Sequence, residues 1–331
     1  MANRIKLGYM FDFRNPPFGG IGFGTLYQET FRQIEFAEEA GFDSIWLTEH
    51  HFTDDGYLAS IMPMLAAIAA RTRRVTIGTY VVLAPFYHPL RLAEDTATID
   101  VISNGRLRLG IGVAYRQEEF DGFQIDRKQR LGRTLETIEI MKRAWTGETF
   151  SFEGKYFQFH DVRVLPKPIS QPHPELLWGG MTAKAIERGA KLGLSFACNL
   201  GNREVTLYRD SLRKAGKNPA DFNIVNNRIV YVADSVEQAW ADIEPAAAYQ
   251  ASMYGKWLGA AGGAGTDSFS PERIRKGAII GPPEVVADRL SKVIAEQQMT
   301  ELILATQLPG LQPAKAMRSL ERFAREVMPK L

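Results

Sequence analysis

Gly105-Arg106-Leu107-Arg108-Leu109-Gly110-Ile111-Gly112-Val113-Ala114-Tyr115 is the stretch on which the fold turns. Its glycines open like a G-x-G-x-x-G dinucleotide turn, which would place the chain among open, doubly wound sheets. Tyr115 stands where the last glycine belongs and no helical pattern follows at once, so that turn is rejected. The glycines then serve either the close approach of a flat ligand to the backbone or plain close packing.

Outward from this strand, short β-branched or apolar runs alternate with longer stretches of helical period, the pattern of parallel strands joined by helical crossovers. Candidate strands are Ile5 to Phe11, Ser44 to Leu47, Val75 to Val82, Leu107 to Gly112, Leu176 to Trp178, Ser195 to Cys198, Ile229 to Ala233 and Leu302 to Thr306. Eight such units favour an α/β fold of one closed (β/α)8 TIM barrel spanning 1–331 as a single domain. Two stretches break the rhythm and read as insertions after strands 4 and 7. Gly147 to Pro174 reads as a small hairpin excursion. Ala246 to Ile280 contains a Gly/Ala-rich tract of low order, Gly259 to Gly265, and reads either as a mobile lid over 255–280 or as a loose surface insertion. Thr25 to Gln28 and Ser235 to Gln238 read as capping boxes, and Pro283 suits a first helical turn.

The chain has 331 residues, 45% hydrophobic and 24% charged, with a formal net charge of +2 from 40 basic and 38 acidic side chains. Roughly 75% of the unfolded surface can be buried at this length. The interspersed charge leaves no footprint for nucleic acid or an anionic membrane. The lone cysteine, Cys198, excludes a disulfide framework and a cysteine-based metal site. No apolar run reaches the ~18 residues of a membrane span, and no signal segment opens the chain, so the expectation is a cytoplasmic protein.

In a barrel the working residues sit at the C-terminal ends of the strands. The second strand exits into Thr48-Glu49-His50-His51-Phe52, with two of the five histidines of the chain. Successive residues of an extended chain point to opposite sides, so one histidine is expected to face a ligand and a shared metal is not. At the third exit, His88 before Pro89 reads as a structural hydrogen bond near a helix start. The fifth exit, Trp178-Gly179-Gly180-Met181-Thr182, runs into a helix near Ala183, where flexible backbone, a hydroxyl and a helix N-terminus suit a phosphate. Asn199, Asn226 and Arg228 are further polar candidates. Aromatic residues near the exits, among them Phe11, Tyr57, Phe86 and Tyr115, suit a small and mostly apolar substrate, with core packing as the alternative for some.

The Glu-His-His triplet at 49–51, the His88-Pro89 pair, the glycine strand at 105–112 and the glycine turn after Trp178, in this order and spacing, resemble the bacterial luciferase-like flavin monooxygenase family over nearly the whole chain. The resemblance implies a (β/α)8 barrel that binds reduced FMN at its C-terminal mouth, reacts it with dioxygen and oxygenates a substrate through a flavin peroxide. It makes His50 the catalytic histidine and His51 its structural neighbour. Gly180, Met181 and Thr182 would hold the phosphate, while Glu49, Tyr80, Val81, Val82 and Gly112 would border the cofactor. It further implies a non-prolyl cis peptide at Tyr80 to Val81, a separate NAD(P)H:flavin reductase as partner, and a homodimer. Gly112 and Val113 replace the cysteine and arginine of the light-emitting subunit, so no light emission is expected. A deazaflavin-dependent oxidoreductase on the same barrel and a flavin-binding protein without catalysis are the alternatives. A metal-dependent hydrolase lacks the spaced ligands it needs.

Overall fold

β1 (Lys6–Phe11) points Gly8 and Met10 to one side and Leu7, Tyr9 and Phe11 to the other, the period-2 alternation that builds every layer of this molecule. A computed structural model of the chain describes residues 4–199, 201–262 and 270–331. β1 is followed by β2 (Ser44–Leu47), β3 (Thr76–Leu83) and β4 (Leu107–Gly112), each parallel to the last. The antiparallel hairpin of β5 (Phe150–Glu153) and β6 (Gln158–Val162) comes next in sequence and stands outside the main sheet. β7 (Glu175–Trp178), β8 (Ser195–Ala197) and β9 (Ile224–Val232) resume the parallel order. β9 pairs with β10 (Ile279–Gly281) through Val230 to Val232 and with β11 (Glu301–Ala305) through Val225 to Ile229. β11 then pairs with β1, which closes an eight-stranded parallel barrel.

Between the strands run α1 (Phe23–Glu39), α2 (Ile61–Arg71), α3 (Pro89–Ser103), α4 (Gln117–Gly122), α5 (Arg130–Ala144), α6 (Ala183–Leu192) and α7 (Asn202–Lys214). α8 (Val236–Ala260), α9 (Pro271–Gly277), α10 (Pro283–Gln297) and α11 (Pro313–Arg322) complete the outer layer. The outward residues of the strands, such as Tyr9, Phe11, Ile45, Leu47, Ile77 and Leu109, form the main core with these helices. The barrel interior is a smaller cluster of Trp46, Leu177, Ala197, Val225 and Ile303, joined by Met10, Tyr80 and Val81. Trp46 fits there because its neighbours Gly8 and Gly78 have no side chain: a Cβ on Gly78 would come within 2.6 Å of the indole. At the N-terminal end, Arg108 pairs with Glu175 at 2.7 Å and with Glu301, and Glu301 also accepts from the Trp46 indole at 2.7 Å. This polar plug closes the face that carries stability in such barrels.

Several expected boundaries move. The seventh barrel strand starts at Ile224, five residues before the expected Ile229, because Asn226 and Asn227, poor strand formers, are satisfied inside the fold. Asn226 donates toward Gln297, and Asn227 accepts from Asn199. α1 begins at Phe23 with Gly22 as its cap, so Thr25 lies inside the helix and makes no capping box, whereas Ser235 does accept from the Gln238 N–H at 3.0 Å. Residues 246–260 are not a loose insertion: they continue α8, while Pro271–Gly277 form α9 and Ile280 lies in β10. Of the expected lid, residues 263–269 lie outside the described residues. The peptide between Tyr80 and Val81 is cis, as the resemblance implied. Among the described residues no helix is long and apolar enough to cross a membrane.

Candidate functional site

β2 ends at Leu47, and the next four residues, Thr48 to His51, are buried at the C-terminal mouth. The two histidine rings turn to different surroundings, as alternation requires. His50 lies 4.9 Å from the Tyr57 ring, 5.4 Å from Tyr115, 5.1 Å from Trp257 and 6.3 Å from Tyr254. His51 lies instead against Phe86 at 5.8 Å and Phe123 at 4.8 Å.

His50 Nδ1 is 2.8 Å from Glu119 Oε1, and its Nε2 is 3.3 Å from the Tyr115 hydroxyl. The same Glu119 oxygen accepts from the His51 backbone N–H at 2.9 Å and from Arg116 at 3.4 Å. Burial pushes the Glu119 carboxyl up, but the hydrogen bonds from His50 and the His51 N–H, with the charges of His50 and Arg116, outweigh it and hold the group below the usual carboxylate range. Arg116 also donates to the His51 carbonyl at 2.7 Å and stands 4.4 Å over the Trp257 ring. From the β1 exit, Arg14 reaches the same aromatic group, 5.1 Å from Tyr57 and 5.4 Å from Trp257, and pairs with Asp55. The hydroxyls of Tyr57 and Tyr254 are 2.8 Å apart.

The sequence reading missed Arg14, Asp55, Arg116, Glu119, Tyr254 and Trp257. Arg116-Gln117-Glu118-Glu119 looks like a solvated charge run, and Tyr254 and Trp257 fall in the stretch read as an insertion. The one available signal was helical spacing: Tyr254 and Trp257 are three apart and share a face of α8.

The expected site residues divide. Tyr57 and Tyr115 do adjoin His50. Phe11 does not: it points outward from β1 and packs on Tyr9 and Phe13, while Met10 takes the interior position. Phe86 lies behind His51, stacked on Phe123 at 4.8 Å. Glu49 is fully enclosed, accepting from the Leu83 N–H at 2.6 Å, the Tyr87 hydroxyl at 2.5 Å and facing His51 Nε2 at 3.1 Å, so its carboxylate braces the loop. Tyr80 and Val81 belong to the interior cluster, whereas Val82 is turned into the outer core, since the register shifts between Thr79 and Val82. Gly112, with Gly110 and Gly179, makes room for the Val81 side chain, and a Cβ on Gly179 would come within 2.8 Å of it.

Gly180, Met181 and Thr182 form the turn into α6, and Met181 and Thr182 are exposed. The Thr182 hydroxyl accepts from the Ala185 N–H at 3.3 Å. Asn199 and Asn227 pair at 2.7 Å beside the Tyr80 hydroxyl, while Asn226 and Arg228 both reach Gln297 on the outer side. His88 makes no capping hydrogen bond and packs edge-on against Phe157 and Phe159 of the hairpin. Burial pushes the Cys198 thiol up to about 11, which leaves it protonated at neutral pH. A groove of about 590 Å³ beside Arg108 and Glu175 opens at the N-terminal face, away from His50.

The profile of the luciferase-like monooxygenase family matches residues 5–301. The chain is 28% identical over 326 residues to the oxygenase component of the flavin-dependent trigonelline monooxygenase of Acinetobacter baylyi, covering 92% of this chain and 89% of that protein. It is 33% identical to the F420-dependent glucose-6-phosphate dehydrogenase of Amycolatopsis mediterranei, across 56% of this chain and 57% of that one. The monooxygenase RslO1 from Streptomyces bottropensis has a similar structure, with a TM-score of 0.84, 28% identity, and coverage of 98% of this chain and 99% of that one. With a closed parallel barrel, a histidine held at its mouth and a profile match over most of its length, the chain belongs to the luciferase-like monooxygenase family.

Proposed function

We propose that this chain is the oxygenase component of a two-component flavin-dependent monooxygenase. It takes reduced FMN from a separate NAD(P)H:flavin reductase and, with dioxygen, oxygenates a small and mostly apolar organic substrate. The observation that carries this reading is His50, held by Glu119 within a wall of Tyr57, Tyr115, Tyr254 and Trp257 at the barrel mouth. The similarity to an oxygenase component over 92% of the chain supports it.

The residues present fit FMN. Val81, seated over Gly110, Gly112 and Gly179, offers an apolar surface at the mouth, with Tyr80 beside it. The exposed Gly180 to Thr182 turn offers the Thr182 hydroxyl proton and the first N–H groups of α6 to a phosphate. When bound, reduced FMN supplies the electrons that activate dioxygen. The protein's own part is orientation and dryness: the aromatic wall keeps water from His50, and Nε2 of His50 takes or holds a proton beside the substrate. The reading includes a cytoplasmic homodimer, whose interface would cover the exposed Val101 and Ile102 of α3.

A second reading, F420-dependent hydride exchange on the same barrel, is favoured by the 33% identity to an F420-dependent dehydrogenase over about half the chain. Oxygen uptake separates the two. With photoreduced FMN, air and a panel of small ketones, aldehydes and heteroaromatics, the protein is expected to form an oxygenated product. His50→Ala should leave FMN binding largely intact while flavin oxidation no longer yields product. Hydride exchange with F420 and no oxygenated product would overturn the proposal.

A further inference from the structure

We propose that Glu119 is the positioning residue of His50: it holds the proton on Nδ1, so that the Nε2 lone pair faces Tyr115 and whatever is bound beside it. The proposal deepens the monooxygenase reading, because it gives His50 a defined chemical form.

The argument is one of hydrogen-bond inventory. Glu119 lies within α4 with no exposed side-chain surface, and its Oε1 gathers the His50 Nδ1, the His51 N–H and Arg116. An ionised carboxylate only accepts, so the hydrogen across the 2.8 Å contact belongs to Nδ1. A neutral imidazole with Nδ1–H has an unprotonated Nε2, and the Tyr115 hydroxyl, 3.3 Å away, is then the donor. The opposite tautomer would set a nitrogen lone pair against a buried carboxylate whose Oε2 already has no hydrogen-bond partner among the described residues. Arg116, itself fixed by the His51 carbonyl, keeps the carboxylate from turning away.

Glu119 and Arg116 face His50 from the start of α4, Tyr115 from the β4 exit, Tyr57 from the β2 exit and Tyr254 from α8, with Arg14 beyond Tyr57 and Tyr254. Among the described residues, Glu119 is thus the carboxylate in hydrogen-bond contact with the ring. In the step it supports, an O–H or C–H proton of the substrate moves to Nε2 and the bonding pair stays on the substrate atom. His50 becomes an imidazolium beside Glu119, and the proton later returns to solvent. Nothing is oxidised or reduced in that step.

The test begins on the unaltered protein, free of flavin, with ¹⁵N-labelled histidine. Long-range ¹H–¹⁵N spectra are expected to show His50 protonated at Nδ1 and not at Nε2 near pH 8; the reverse tautomer would overturn the proposal. Glu119→Gln keeps an acceptor oxygen but can turn its amide N–H toward Nδ1, so the preference for the Nδ1-protonated form should be lost and Nε2–H signal should appear. Glu119→Asp should recover part of the Nδ1–H signal. In turnover with reduced FMN, Glu119→Gln should lower kcat about tenfold with KM little changed. An unchanged Nδ1–H spectrum in Glu119→Gln would show a merely structural carboxylate. The spectra do not depend on oxygenation, so failure of the monooxygenase reading would appear separately, as absent product with the Nδ1 tautomer intact.

Discussion

Arg14 Nε donates to Asp55 Oδ2 across 2.6 Å, and the side chains are 0% and 1% exposed. The guanidinium also lies within 5.8 Å of the Tyr57, Tyr249, Tyr254 and Trp257 ring centroids, so one buried cation joins the β1 exit, the β2 exit and α8. Asp55→Ala removes the hydrogen-bonded partner of that charge and should cost about 3 to 5 kcal/mol in urea unfolding. Burial pushes the Asp55 carboxyl up, but the charge and hydrogen bond of Arg14 hold it below the usual range. Its contribution is therefore present above the ordinary carboxylate range and is lost as pH falls through the depressed value. A loss under about 1 kcal/mol at pH 7 would show that the pair is not what ties α8 down.

Asp12 has the opposite sign. Burial pushes its carboxyl up to about 6, and the Arg14 charge only partly offsets this. The folded state takes up this proton more readily than the unfolded chain, so the associated stability is present below the ordinary carboxylate range and is lost as pH rises through about 6. Asp12→Asn should accordingly be more stable than the parent at pH 8, by up to about 2 kcal/mol, with the gain vanishing near pH 4. Thermal midpoints at the two pH values check this, and a variant destabilised at pH 8 would refute it.

Val81 fills the space that Gly112 leaves. Gly112→Ala forces the two side chains together and should cost about 1 to 3 kcal/mol. Val81→Ala in the same chain should restore part of that loss, giving a coupling of at least about 0.5 kcal/mol in a double-mutant cycle. Strict additivity would mean that Gly112 is needed for something other than Val81.

Glu49 has protein partners on both carboxylate oxygens. Glu49→Gln should therefore act through the loop, lowering stability by about 1 to 3 kcal/mol and changing FMN affinity less than tenfold. Fluorescence titration of FMN measures the second quantity. A hundredfold loss of affinity with unchanged stability would instead place the carboxylate against the flavin.

The alternation of strand and helix patterns carried the barrel from sequence alone, because it rests on periods of two and 3.6 that are local properties of the chain, and Tyr115 in the place of a glycine removed the dinucleotide turn. The same locality showed that only one histidine of the 50–51 pair can face a ligand, since adjacent residues at a strand end diverge, while the family resemblance pointed to His50 as that one. Phe11 shows the limit. Its position near a strand exit was readable, but whether an odd or an even residue points inward depends on how β1 meets β2 and β11, and the register puts Met10 inside. Asn226 and Asn227 hid the start of β9 because their partners, Gln297 and Asn199, are remote in sequence. Glu119 is 69 residues from His50, and Tyr254 is 197 from Tyr57. The chain thus determined its layers and the kind of residue at each strand mouth. Closure of the barrel decided which of those residues meet, since a contact between distant segments follows from packing and register rather than from any pattern within either one.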